Sequence, residues 1–180
     1  MALRKALAYS KKPARPYTRI SKRKGKSYIK TVPFSKIVKF SGGDQKGYND
    51  KKHTYQVTLL TEQWIQIRDN ALEACRMLIT KQLDTNALGQ YYLEVKAHPH
   101  HLLRENKSAA AVAGADRIST GMTQAFGVVI GRAAMVNAGK PIFFISCANE
   151  KTARAARDAL VMVRSKVPCK TRIVFEKVNQ

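Results

Sequence analysis

The sequence predicts an α+β domain of about six strands and two amphipathic helices, with the helices packed on one side of a mostly antiparallel sheet. Three observations predict it. Short runs of β-branched and aromatic residues alternate with polar ones and are separated by turn residues. Two longer stretches repeat apolar residues at three- and four-residue steps, the period of a helix with one buried face. Positive charge is gathered at one end: residues 1–40 hold 13 Lys and Arg and no acid, the first acid being Asp44.

In chain order, 1–34 reads as a basic extended tail and 35–180 as a single α+β domain with an internal loop at 105–122. In the tail, KKPARPYTRISKRKGKSYIK carries Pro13, Pro16 and Gly25 among mutually repelling cations, so it should stay extended or disordered until an anion neutralises it. Tyr9, Tyr17 and Tyr28 are spaced among those cations, where rings can stack on exposed bases while Lys and Arg neutralise phosphates. From Ser35, KIVKF predicts a short strand and GGDQKGYNDKK a glycine-rich turn region. HTYQVTLL predicts a second strand with Tyr55, Val57 and Leu59 on one face.

Thr61 is expected to cap the first helix, with Glu62 in its first turn. Its buried stripe would run through Trp64, Ile67, Ala71, Cys75 and Leu78, and its end would fall near Asp84. YYLEVKAH alternates Tyr91, Leu93, Val95 and Ala97 against Tyr92, Glu94, Lys96 and His98, a half-buried strand; Pro99 interrupts it and HHLLRE resumes an extended run. AFGVVIGRAAMV and KPIFFISC predict two more strands joined by a hairpin turn at NAGK. Asn149 opens the second helix, with Ala153, Ala156, Leu160 and Val163 on one face and Lys151, Arg154, Arg157 and Arg164 largely away from it. Pro168 stops that helix, and KTRIVFEKV supplies the closing strand. VAGADRISTGM fits neither period: small residues and two glycines surround one arginine, the composition of a long, flexible, faintly basic finger.

The charge balance narrows the function. With 33 Lys and Arg against 12 Asp and Glu, the net charge is +21, far beyond what solubility requires, and it points to a polyanionic partner. No apolar run approaches the length of a membrane span, so a nucleic acid is expected rather than a lipid surface. Cys75, Cys147 and Cys169 are odd in number, widely separated and form no CxxC pair, which predicts free intracellular thiols rather than a zinc ribbon or redox site. The opening MALRKALAYSKK lacks the apolar stretch of a secretory signal. It shares the basic, acid-free character of an organellar transit peptide, but the prolines and lysines that follow favour a working tail.

Catalytic constellations are hard to assemble. Neither GxxxxGK[ST] nor GxGxxG occurs, although Gly114, Gly121, Gly127 and Gly131 are densely spaced. No GxSxG elbow accompanies Ser108 or Ser119. Asp69 and Glu73 lie one helical turn apart between Arg68 and Arg76, which a solvated helix face explains. HPHH places His98 and His100 on one face of an extended strand and His101 on the other, with no further ligands in reach, so no metal is expected.

Several stretches taken in order are similar to a known family: KPARPYT, ALEACRM, VKAHPHHLLRENK, AGADRISTGM, AFG and ARDALVMVRSKVP. Together, from Lys12 to Val174, they resemble the archaeal and eukaryotic branch of the universal large-subunit ribosomal protein family called L-sixteen in bacteria and L-ten-e elsewhere. The resemblance implies an α/β-hammerhead-like α+β fold docked on large-subunit rRNA beneath the central protuberance, near the peptidyl transferase region. It implies that the segment matching Lys107 to Met122 is a mobile loop directed toward the acceptor end of the tRNA in the peptidyl site, and that the protein joins the subunit late in assembly.

The expected partners are large-subunit rRNA, peptidyl-site tRNA and neighbouring ribosomal proteins on the cytoplasmic ribosome, with no cofactor, membrane or homo-oligomer. Arg104, Lys107 and Arg117 match the family motifs and carry over as RNA contacts of the loop and its stem, with Gly114 and Gly121 giving the loop its backbone freedom. Lys12, Arg15, Arg19, Arg23 and Lys26 are the expected phosphate contacts of the tail, Tyr17 its stacking ring, and His98 a further RNA contact. Thr123, Gln124, Val128 and Val129 depart from the pattern, removing cations expected near the loop's return. Two rival readings remain: an RNA-modifying or RNA-cleaving enzyme using His98, His100 or the helix acids, and an architectural DNA-binding protein.

Overall fold

The computed structural model describes residues 9–10, 15–18, 29, 32–105 and 128–178. Among them run β1 (Ser41–Gly43), α1 (Gln45–Asn49), β2 (Tyr55–Thr61), β3 (Ile65–Arg68), α2 (Asp69–Ala87), β4 (Tyr91–Val95), β5 (His101–Glu105), β6 (Val128–Val136), β7 (Pro141–Cys147), α3 (Glu150–Val163) and β8 (Thr171–Lys177). Two antiparallel sheets result, one in the order β1-β4-β7-β2-β8 and a smaller one in the order β3-β6-β5. The α+β class and the antiparallel pairing are as the sequence predicts; the division into two sheets is not legible in it.

Alternation builds the large sheet. Val57, Leu59 and Thr61 of β2 point to one side and are buried, as are Leu93 and Val95 of β4. Across the sheet Val57 is level with Ile145 of β7 and Phe175 of β8, so apolar side chains meet apolar side chains between strands. Both longer helices lie against this surface. From α2 come Leu72, Cys75, Ile79 and Leu83, and from α3 Ala153, Ala156, Leu160 and Val163, all fully buried. The alanines of α3 allow its backbone close to its neighbours, while Lys151, Arg154, Arg157 and Arg164 remain exposed. Ile65 and Ile67 of β3 and Ala134 and Val136 of β6 join the same core, tying the small sheet to the large one.

The first helix begins later than its apolar spacing predicts. Thr61 ends β2, where its Oγ1 donates to the Asn137 carbonyl at 2.7 Å, and Trp64 is 70% exposed rather than part of a buried stripe. Ile65, Gln66 and Ile67 are all buried in β3, so that strand shows no alternation, and the Ile67-to-Ala71 step imitates a helical one. KIVKF forms no strand. Its Lys36 and Val38 amides donate to the carboxylates of Asp69 and Glu73, at 3.1 and 3.3 Å. Those acids, expected on a solvated face, are therefore covered by this segment, and Arg76 holds Glu73 further with a 2.6 Å contact. The glycine-rich region contains β1 and α1; Asp44 caps α1 by accepting the Gly47 N–H at 2.8 Å.

The small sheet has two outer edges, and groups from the tail meet both. The Gln66 N–H on β3 donates to the Ser10 carbonyl at 3.1 Å, and the Leu102 N–H on β5 donates to the Tyr17 carbonyl at 2.9 Å. The Tyr17 N–H in turn donates to Nδ1 of His101 at 2.8 Å. Unpaired edge amides invite association with other chains, and each of these bonds satisfies one of them. Within the stretch expected to stay extended or disordered until neutralised, Tyr17 is thus held by the domain.

Two outcomes follow from this arrangement. Gly43 has φ of 88°, and a Cβ there would lie 2.2 Å from the Tyr91 carbonyl oxygen, so Gly43→Ala should lower stability by about 2 kcal/mol or more in urea unfolding. Burial, with the charges of Arg104 and His100, pulls the His101 pKa from 6.5 down to about 4, leaving Nδ1 free to accept from Tyr17. In the unfolded chain the ring protonates near its ordinary value, so this contribution is complete above about pH 6.5 and is lost as pH falls toward 4. Wild type should therefore lose about 2–3 kcal/mol more than His101→Asn between pH 7 and 4.5, because an Asn oxygen accepts without titrating; parallel pH profiles would contradict the assignment.

Candidate nucleic-acid interface

Arg104 stands at the root of the internal segment. Glu105 and Val128 are the last register partners of β5 and β6, so residues 106–127 leave and return at one point of the small sheet. The register slips between Leu103, level with Gly131, and Arg104, level with Val129. An extra residue in one strand bends it and re-aims the neighbouring side chain. Here the extra residue is Ile130 of β6, opposite the step from Leu103 to Arg104.

Tyr17 holds that arginine. The guanidinium carbon of Arg104 lies 3.5 Å from the ring centroid of Tyr17, whose backbone is fixed on both sides by Leu102 and His101. Such a contact contributes about 2 kcal/mol when shielded from water. Nε and Nη1 of Arg104 are buried without hydrogen-bond partners, so the ring orients the guanidinium without neutralising it. Arg132 on β6 is met in a similar way, donating from Nε to the Pro33 carbonyl at 2.7 Å. Arg68, at the end of β3, lies 5.8 Å from the Tyr9 ring centroid. Rings and carbonyls of the N-terminal segment thus position arginines on every strand of the small sheet.

Of the residues predicted from sequence, the structure brings Tyr17 and Arg104 together. Arg15 is exposed close to Tyr17 in sequence. His98 is exposed and stacks on Phe40, with ring centroids 5.1 Å apart and planes within 13°, while His100 is exposed and His101 buried, the alternation expected of an extended run. Val128 is exposed and Val129 half-buried, so two of the family departures occupy the return strand of the finger. Lys12, Arg19, Arg23, Lys26, Lys107, Gly114, Arg117, Gly121, Thr123 and Gln124 lie outside the described residues.

Sequence reasoning did not single out Arg68, Arg132 or the acceptor role of His101. The alternation of HPHH signals that His101 faces inward, but its partner is 84 residues away. Nor do the thiols offer reactive groups: burial pushes Cys75 and Cys147 up to about 12 and Cys169 to about 11, keeping them protonated. Among the described residues, no three His, Cys, Asp or Glu side chains are grouped to hold a metal ion, and no helix is long and apolar enough to cross a membrane.

Comparison with known proteins agrees with the order of motifs. A family model described as Ribosomal protein L16p/L10e matches residues 14–174. The large ribosomal subunit protein uL16 of Staphylothermus marinus is 42% identical over 180 residues, covering 99% of this chain and 97% of its own length. The corresponding protein of Metallosphaera sedula is 40% identical, covering 100% and 98%, and that of Methanococcus aeolicus 40% identical, covering 98% and 96%. With the match running from the tail through the closing strand, the chain belongs to the ribosomal protein L16p/L10e family, in its archaeal-type branch.

Proposed function

We propose that the chain is built into the large ribosomal subunit, where it binds large-subunit rRNA near the peptidyl transferase region and presents residues 107–122 toward the peptidyl-site tRNA. Family membership makes it a structural component of the ribosome rather than an enzyme. The observation that carries the finer reading is the fixed Arg104: a cation stacked on a tail ring at the point where the internal segment leaves the sheet. An arginine held this way is preorganised for phosphate or for the face of a base, and loses little freedom on binding.

The tail 1–34 and the domain 35–180 then divide the work. Cations of the tail, among them Lys12, Arg15, Arg19, Arg23 and Lys26, displace counterions from the RNA backbone. Arg104, Lys107 and Arg117 serve the loop and its stem, and the small residues around Gly114 and Gly121 let its backbone approach RNA closely. His98, exposed and already stacked on one ring, offers its outer face to a base.

The division is tested by separating incorporation from translation. Deleting residues 108–120 should leave incorporation into large subunits within about twofold of wild type while slowing peptide synthesis, because attachment rests on the tail and sheet; loss of incorporation itself would contradict it. Arg104→Ala removes the cation but leaves the paired backbone, so it should weaken rRNA binding by about tenfold, the scale of a charge-assisted contact. A filter-binding comparison with wild type at one salt concentration measures this, and unchanged affinity would remove Arg104 from the interface.

A further inference from the structure

Of the large apolar side chains among the described residues, that of Phe34 is the most exposed, at 94%. A single apolar side chain in water is commonplace and by itself marks nothing. What sets Phe34 apart is the backbone that presents it. Residues 33–40 run along the first turns of α2 as a strap anchored at several points: the Pro33 carbonyl accepts from Nε of Arg132, the Lys36 and Val38 amides donate to Asp69 and Glu73, and the Phe40 carbonyl accepts the Val95 N–H at 2.7 Å. The same strap buries apolar groups elsewhere. Ile37 enters the core and Phe40 packs against it, whereas Phe34, between the anchored Pro33 and Lys36, stands in solvent.

The surroundings restrict what can cover this ring. No acid precedes Asp44, so the chain on either side of Phe34 carries only cations, Lys30, Lys36 and Lys39 among them. Lys36 and Lys39 are exposed, and Arg132 brings a guanidinium to the residue next to the ring. The two carboxylates that meet the strap, Asp69 and Glu73, are turned to amides and to Arg76. An apolar pocket on another protein would strip these cations of water along with the ring. An unpaired base takes the ring on its face and brings its own phosphate to the cations, so one nucleotide meets both demands. Bases inside a duplex are already stacked on both faces and offer none.

We propose that Phe34 is a platform on which one unpaired base of the large-subunit RNA stacks, with Lys36 at the adjoining phosphate. The inference rests on the reading of the chain as an rRNA-binding protein and adds a contact outside the finger and its stem. Because the strap is anchored before binding, only the ring and the lysine side chain are ordered by the contact, which keeps its entropic cost low.

The test measures the affinity of the full chain for large-subunit rRNA at several salt concentrations. Phe34→Ala and Phe34→Leu should each weaken binding about tenfold at every concentration, the scale of one base–ring stack, while Phe34→Trp keeps wild-type affinity or improves it. The slope of log K against log salt should be common to wild type and these three variants, since none alters a charge. Lys36→Gln should make that slope shallower by about one, and the strap is kept because it is the Lys36 amide that bonds Asp69. With so exposed a ring, the melting temperatures of the Phe34 variants should match that of wild type; if Phe34→Ala is destabilised, the comparison of Phe34→Leu with Phe34→Trp still decides. Wild-type affinity in Phe34→Ala or Phe34→Leu overturns the proposal, and an unchanged slope in Lys36→Gln overturns its phosphate contact. Reduced incorporation into subunits at unchanged RNA affinity would also overturn it and assign the ring to a protein partner. Wild-type binding separates the two levels: if wild type binds the rRNA and the Phe34 variants equal it, only the platform is lost, whereas failure of wild type to bind removes the wider reading as well.

Discussion

The governing constraint is charge that the chain cannot balance by itself. Twelve acids cannot neutralise 33 Lys and Arg, and several of the acids already have local partners, as in Glu73 with Arg76, Glu94 with Lys96 and Glu150 with Arg154. Folding therefore has to bring cations together without carboxylates to quiet them. The molecule manages this by driving assembly with an apolar core, Leu59, Leu72, Ile79, Phe143 and Leu160 among its fully buried members, and keeping the helix cations on the outer face. On the small sheet, rings and backbone carbonyls fix the arginines. Tyr17 and the Pro33 carbonyl orient Arg104 and Arg132 while adding no negative charge.

The described residues of the N-terminal segment take part in this arrangement. The carbonyls of Ser10 and Tyr17 each accept one amide at an outer edge of the small sheet, and the rings of Tyr9 and Tyr17 lie near Arg68 and Arg104. The pairing works through His101 only while that ring is neutral, and the positive charge of Arg104 nearby is one reason it stays so. One arrangement thus sets the edge of the sheet, the protonation state of a buried histidine and the direction of a cation at the root of the finger.

Much of this was legible in the sequence where burial is one-sided. The strands β2 and β4 and the helix α3 each bury one face, so their periods appear directly as Val57 and Leu59, Leu93 and Val95, or Ala153, Ala156, Leu160 and Val163. The region from Thr61 to Arg68 was not, because β3 buries three consecutive residues and carries no period to read. Segment 36–40 misled for a different reason: its apolar Ile37 enters the core while its neighbouring amides go to the carboxylates of α2, a long-range pairing that local pattern does not encode. At the candidate interface, the motif resemblance marked Arg104, but the stacking of Tyr17 on it depends on contacts between distant parts of the chain.

In the proposed function, cations held by neutral groups engage RNA phosphate. The most direct measurement of this is the affinity of the full chain for large-subunit rRNA as a function of salt. With about six to ten phosphates engaged, affinity should fall by about a thousandfold or more between about 50 and 200 mM salt, log K declining linearly with log salt. An affinity that stays flat across that range would contradict the account.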